Sequence, residues 1–360
     1  MTHHQEIRPP KMRRVTTQGL GFAHPHSSVA TLPQGFSIIE LMIALGLGVI
    51  ISASVVIVFL SNLEMYRQND NLARLQENAR YGFELMGRYI REAGGIPCGS
   101  NLAVANVLVG ANTTWWSTWN GGIEGYDDND NNFPQAIGTG VGDRLADTDA
   151  IFILSGSINP ATRITDHDAS AFRIELSDTN ATEAGELLMA CDYTQAAIFQ
   201  VSAAAANDRN IFHNVGVGLP SNCSAGLGFP SNCASVTGTP KVFSNNGFVT
   251  PLSATAWYVG NNSRGGSSLF RVSLEHQGTT VTPLTEEVAE GIIDLQIEYL
   301  ETTTGGILPT DYVDASGVTD WGNVVAARLT VTLETLDPMM NGTPLVRRWY
   351  TVYSLRNRAT

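Results

Sequence analysis

Cys98, Cys191, Cys223 and Cys233 are the chain's four thiols. An even number of thiols allows full disulfide pairing in an oxidising compartment. Of the three pairings, the short Gly/Pro-containing loop favours Cys223–Cys233, which leaves Cys98–Cys191; free buried thiols are the alternative. No CxxC pair occurs, and His167, His213 and His276 are widely scattered, so zinc is not expected and the histidines read as satisfied core or surface side chains. The run Asp127-Asp128-Asn129-Asp130-Asn131-Asn132 has the alternation of a calcium loop's first ligands at Asp127, Asn129 and Asn131. An EF-hand also needs Gly sixth and Glu twelfth, where this sequence has Asn132 and Gly138. The choice is then between a non-EF calcium site and a solvated acidic turn, of which the turn is the simpler.

Trp115, Trp116 and Trp119 stand beside a Gly/Asn loop. They can stack on a sugar or base, anchor a partner, or pack beneath the loop. Gly121, Gly122 and Gly125 are expected at turns of positive φ. No nucleophile elbow, zinc-protease helix, P-loop or dinucleotide phrase appears in a suitable context, and no pair of acids stands out for acid–base work. No catalytic residue and no cofactor is assigned, and an enzyme is not the expected class.

Charge narrows the partners. The chain carries a formal net charge of −13. Its first 35 residues hold Arg8, Lys11, Arg13 and Arg14 against Glu6, so the remainder has 17 basic and 33 acidic residues. Phosphate would repel so acidic a body, and direct nucleic-acid binding is not expected.

Residues Phe36 to Leu60 form a 25-residue apolar run with one charge, Glu40. As a helix it would span roughly 38 Å, enough to cross a bilayer. The basic residues before it place residues 1–35 in the cytoplasm and the rest outside. A cleaved secretory signal would have a shorter apolar core, followed by its cleavage site. Here the cleavage signal, Gly35, precedes the run. A carboxylate at Glu40 costs about 2.5–3.5 kcal/mol in a membrane helix unless it has a partner. Cutting after Gly35 would supply one, the new amine of Phe36, in the same chain or a neighbour; snorkelling to one membrane face is the plainer alternative. Ala44, Gly48 and Ser52 recur on one face, as in close-packed helices or in ordinary membrane-helix composition.

The helix continues. Leu72, Leu75, Ala79, Phe83, Met86 and Ile90 form a stripe spaced by threes and fours, flanked by Asp70–Arg74 and Glu84–Arg88 pairs. Gly94-Gly95 and Pro97 stop it. The stripe is too short and irregular for a coiled coil. Beyond residue 96, strands are expected at 150–154, 171–176, 269–274, 293–299, 327–333 and 348–355, from alternating or continuous apolar runs between Gly, Asn and Pro. A turn-rich stretch at Gly238–Asn246 is a weak candidate boundary between two lobes.

Gly35-Phe36-Ser37-Ile38-Ile39-Glu40-Leu41-Met42 resembles the signal of type IV prepilins and pseudopilins. Asn120-Gly-Gly-Ile-Glu-Gly-Tyr126, Val288–Tyr299 and the ending Tyr353-Ser-Leu-Arg-Asn-Arg358 resemble the PilW family of minor pilins, with related phrases in J-type pseudopilins of type II secretion. The resemblance implies an α+β pilin-like fold, with a long N-terminal helix packed on an antiparallel sheet-rich domain. It implies a leader over 1–35, a transmembrane and filament-core helix over 36–60, an amphipathic helix over 61–95 and a globular periplasmic or extracellular domain over 96–360. It also implies cleavage between Gly35 and Phe36 by a prepilin peptidase, methylation of Phe36, and assembly guided by Glu40. The implied partners are the inner membrane, the pilus assembly machinery, the major pilin and other minor pilins, with motility, adhesion or DNA uptake depending on the chain indirectly. A secretion pseudopilin and a tip adhesin are the alternatives. The leader is long and lacks a basic residue beside Gly35; a start at Met12 would shorten it.

Overall fold

The computed structural model describes residues 35–358 except 112, 157–160, 179–181, 206, 304–309 and 337–341. The leader, apart from Gly35, and Met12 lie outside the described residues. The chain divides into two compact units, Met1–Leu60 and Ser61–Thr360. Helix α1 (Ile38–Glu92) contributes to both.

Within the first unit α1 is exposed on every side. It has a mean hydropathy of 2.8 at its most apolar, and it is long and apolar enough to cross a membrane. Within the second unit the expected stripe is the buried one. Leu75, Ala79, Met86 and Ile90 are buried, and Phe83 packs half-buried against the same core. Gly87 belongs to this face because the Tyr353 ring lies where a Cβ would stand. The Tyr353 hydroxyl donates to the Phe83 carbonyl at 2.6 Å. Of the two expected acid–base pairs, Asp70–Arg74 closes at 3.1 Å. Glu84 and Arg88 instead line an open groove of about 520 Å³ with Arg91 and Arg356.

The helix ends at Glu92 as the glycines dictate. Gly94 takes φ +66°, a conformation that favours glycine. Its N–H crosses to Leu154 O at 2.9 Å, and Gly156 N–H reaches Gly95 O at 2.7 Å. The chain therefore leaves the helix directly onto a strand.

Among the described residues, twelve strands form one branched sheet. They are β1 (Ala103–Asn106), β2 (Ile123–Tyr126), β3 (Ala150–Gly156), β4 (Thr162–Asp168), β5 (Arg173–Leu176) and β6 (Leu187–Cys191). There follow β7 (Gln195–Gln200), β8 (Ala203–Ala204), β9 (Asn210–Phe212), β10 (Phe248–Asn261), β11 (Ser267–Gln277) and β12 (Thr280–Glu290). Strands β13 (Ile292–Glu301), β14 (Val324–Glu334) and β15 (Val346–Ser354) make a second sheet. Among the described strands, every pairing is antiparallel except β1 with β7. The inner rows Leu295, Ile297, Tyr299 and Ala327, Leu329, Val331, Leu333 share one core with the α1 stripe.

Strand β10 organises the large sheet. Its first residues pair with β6 and β4, and the rest pairs with β3 and β11. This overturns the candidate boundary at Gly238–Asn246. Phe243 within that stretch is buried in the second core, and Lys241 is tied to Asp192. The strand expected from residue 171 starts only at Arg173, because Asp168 Oδ1 accepts from the Ser170 and Ala171 N–H groups and holds a turn there.

Candidate functional site

Gly35, Phe36 and Ser37 precede the helix and are non-helical, and Phe36 is 90% exposed. Ser37 is the N-cap: its Oγ accepts from Ile39 N–H at 3.2 Å. Glu40 completes a capping box, with its Oε2 accepting from Ser37 N–H at 3.1 Å. Two of the helix's orphan donors are thereby satisfied, so the carboxylate has a partner within its own chain. The spacing Ser37-x-x-Glu40 before an apolar run is the sequence signal for this box. Further along the same unit, Ala44, Gly48 and Ser52 do fall together. With Leu41, Leu45, Val49, Ala53, Val56 and Ile57 they line an open apolar groove of about 800 Å³. Its small residues leave room for close approach.

The family-like phrases at 120–126 and 353–358, distant in sequence, meet at the C-terminal end of α1. Arg356 N–H donates to the Arg91 carbonyl at 3.1 Å and the Asn357 amide to the Glu92 carbonyl at 3.4 Å, so the tail caps the helix. Arg358 donates to the carbonyls of Trp321, Gly121 and, at 3.0 Å, Val324. Burial lowers its pKa to about 10 against the opposing pull of Asp320. Gly121 and Gly122 have φ of +71° and +81°, as expected. Gly125 does not: it lies within β2 and is small because the Tyr299 hydroxyl occupies the place of a Cβ.

The acidic loop is built on an internal cation. Arg144 is fully buried, and its guanidinium donates to the carbonyls of Asp127, Asp128, Asp130 and Thr148. Asp127 spends both carboxylate oxygens on Ala315 and Ser316 N–H, and Asn129 bonds Asp147. Asp127 and Asn129 are thus engaged within the protein, and no metal-holding group of three His, Cys, Asp or Glu occurs among the described residues. Nearby, Asp149 is buried and accepts from Asp128 and Ile297 N–H. Desolvation raises its pKa to about 7 despite those bonds.

The tryptophans do not form an exposed platform. Trp115 is buried against Phe152, and Trp116 and Trp119 pack half-buried between two cores. Of the three uses the sequence allowed them, packing beneath the loop is the one observed. The histidines, read from sequence as scattered, require a correction. His167 in β4 and His213, just past the end of β9, lie on either side of β5 and meet Nε2 to Nε2 at 3.3 Å. His167 Nδ1 accepts from Phe243 N–H, so its own proton is on Nε2 and points at His213. With that tautomer the pair is a neutral hydrogen bond and not a metal clamp. Burial lowers the two pKa values to about 4 and about 3. His276 lies apart, on Ala184 O.

The four cysteines form Cys98–Cys191 and Cys223–Cys233, with Cα atoms 5.8 and 5.1 Å apart. Beside the first, Lys241, the only lysine after residue 35, bonds Asp192 at 2.6 Å. Burial would raise Asp192, but its bonds to Lys241 and Thr194 prevail and hold it at about 2.

Residues 256–352 match the PilW family model, described as Type IV Pilus-assembly protein W. The match runs from within β10 to within β15. It supports reading the chain as a PilW-family type IV pilus protein. No curated protein matches the chain.

Proposed function

We propose that this chain is a minor pilin, a structural subunit that takes part in starting the type IV pilus and sits near its tip. The observation that carries the reading is Gly35-Phe36 and Glu40 at the head of a helix able to cross a membrane, on a chain whose sheet region matches a pilus-assembly family. The peptidase cuts between Gly35 and Phe36, where the backbone is non-helical and open. The freed and methylated amine of Phe36 pairs with a subunit's Glu40. Before assembly α1 anchors the chain in the inner membrane, with the domain after residue 95 in the periplasm. Its role is mechanical. Its partners are other pilins and the assembly machinery; motility, adhesion or DNA uptake follow indirectly.

The test is the intact mass of the chain from cells with and without the prepilin peptidase. The reading requires a chain beginning at methylated Phe36 that vanishes without the peptidase and is recovered in sheared pili. An uncut chain in both strains sinks it.

A further inference from the structure

Strand β15 is the edge of its three-stranded sheet: it pairs with β14, and no described strand pairs with its other side. The register sets Trp349, Thr351 and Tyr353 opposite the core-facing Val331, Leu329 and Ala327. Alternation then turns Val346, Arg348, Tyr350 and Val352 outward. Val346 is 44% exposed, Tyr350 75% and Val352 48%. The other strands of that outer face show Asp294, Gln296 and Glu298 on β13 and Arg328, Thr330 and Thr332 on β14. Large exposed apolar side chains are thus gathered on an edge strand, one side of which no described strand pairs.

Such edges pair with other chains unless charge, proline or a bulge blunts them. In β15 only Arg347 and Arg348 do so, at one end. The register with β14 is unbroken, and residues 349–354 carry neither charge nor proline. Residues 346–358 hold Arg347, Arg348, Arg356 and Arg358 and no acid, in a chain of net charge −13. Arg348 is largely exposed and stands 4.0 Å from Asp294, so its guanidinium has capacity for a closer carboxylate. The acidic edge strand of a second copy, β12, is a poor match, because Glu286, Glu287 and Glu290 already hold Arg271 and Arg264.

We propose that β15 is a docking edge for an extended, carboxylate-bearing segment of a different protein chain. That segment adds as a further strand, covers Tyr350 and Val352, and sets an acidic side chain against Arg348. This deepens the assembly reading above and rests on it for the cells in which the partner is sought.

The experiment places a photo-crosslinking amino acid at Tyr350 or Val352 of the full chain in piliated cells, with Tyr193, which is 79% exposed, as control. Both disulfides are checked by mass in every variant. The expected result is a peptide of another subunit, containing Asp or Glu, joined to positions 350 and 352 and not to 193. Arg348→Glu lowers the yield at least tenfold, and exchanging the captured acid for Arg restores it. The proposal is overturned by adducts no stronger than at 193, by capture of a second copy, by a captured peptide without an acid, or by yields indifferent to Arg348→Glu. An uncut chain that still gives the adduct defeats the pilin reading and leaves the docking edge standing. A processed chain in pili with no adduct does the reverse.

Discussion

The Arg358 guanidinium donates to the Gly121 carbonyl across 237 residues of sequence. It also holds the carbonyls of Trp321 and Val324, so one cation gathers three segments at the foot of α1. Hydrogen bonds to a charged group contribute about 1.5–3 kcal/mol each, and they do not add fully when they share one donor. Arg358→Met is expected to destabilise the second unit by about 3 kcal/mol, read as a lower unfolding midpoint in denaturant with both disulfides intact. No change in midpoint would make the tail an appendage.

Gly122 and Gly142 both have positive φ, at +81° and +86°. Only Gly122 is also crowded: an added Cβ would meet Gly94 at 2.5 Å and the Leu154 carbonyl at 2.6 Å, whereas at Gly142 it meets open space. Alanine at either site bears the cost of left-handed backbone, about 1–2 kcal/mol. Gly122→Ala should therefore lose at least about 2 kcal/mol more than Gly142→Ala, the added part coming from overpacking. Equal losses would show that the strand and the helix exit are not in contact.

The disulfides should differ in weight because they close loops of different size. Cys98–Cys191 spans 93 residues and Cys223–Cys233 spans 10. Loop-closure entropy gives about 4–5 kcal/mol for the first and about 3 kcal/mol for the second. Paired Cys→Ser variants, compared by denaturant midpoint, test the order. The opposite order would mean that the small loop, with its bonds through Gln195 to Leu227 and Phe229, is the more essential clamp.

Much of this was legible in local pattern. The stripe Leu75, Ala79, Met86, Ile90 and the stop at Gly94 follow from spacing and backbone freedom alone. The runs at 269–274, 293–299 and 327–333 alternate because one face is buried. Strands β6 and β7 were not foreseen: buried nearly throughout, they show no alternation, and Ala, Cys and Gln in LLMAC and QAAIFQ break up the continuous branched and aromatic run that marked β3. The His167–His213 contact was hidden for another reason: the two residues lie 46 apart, and only the β4–β5–β9 pairing brings them together. Arg144 within the acidic loop was equally silent, since a cation among acids looks like surface charge until its burial is known.

Acid should expose the histidine pair. An unfolded histidine gains its proton near pH 6.5, whereas His167 and His213 hold out to about 4 and about 3. Between those values the unfolded chain binds more protons, so stability rises with pH. The stability contributed is fully present above pH 6.5 and is lost as pH falls toward 4. His213→Gln should flatten that slope in unfolding free energies measured from pH 4 to 7. An unchanged slope would show that the pair is not buried in solution.

Asp149 works in the opposite sense. Its folded pKa, about 7, lies above the ordinary 3.8, so the folded chain binds the extra proton. Its contribution is full below pH 3.8 and is lost as pH rises through 7. Asp149→Asn removes that falling component, and stability should then climb more steeply with pH from 4 to 7 than in the unaltered chain. A shallower climb would place the Asp149 carboxylate in water.

Glu40 is asked to do two things, and one substitution separates them. As a capping residue it needs only an acceptor oxygen for Ser37 N–H, and glutamine supplies one, since the box tolerates either side chain. As an assembly group it needs its negative charge, which glutamine lacks. Glu40→Gln should therefore leave the helix start intact and the chain cut after Gly35, yet exclude the chain from sheared pili by tenfold or more. Ser37→Ala should do the converse: it removes the acceptor for Ile39 N–H, frays the first turn at a cost of about 1 kcal/mol, and still enters pili because Glu40 keeps its charge. The measurement is the ratio of mature chain in pili to mature chain in membranes for each variant. If Glu40→Gln enters pili normally while Ser37→Ala fails, the carboxylate is a helix cap alone, and its place in the apolar run is explained without any neighbouring subunit.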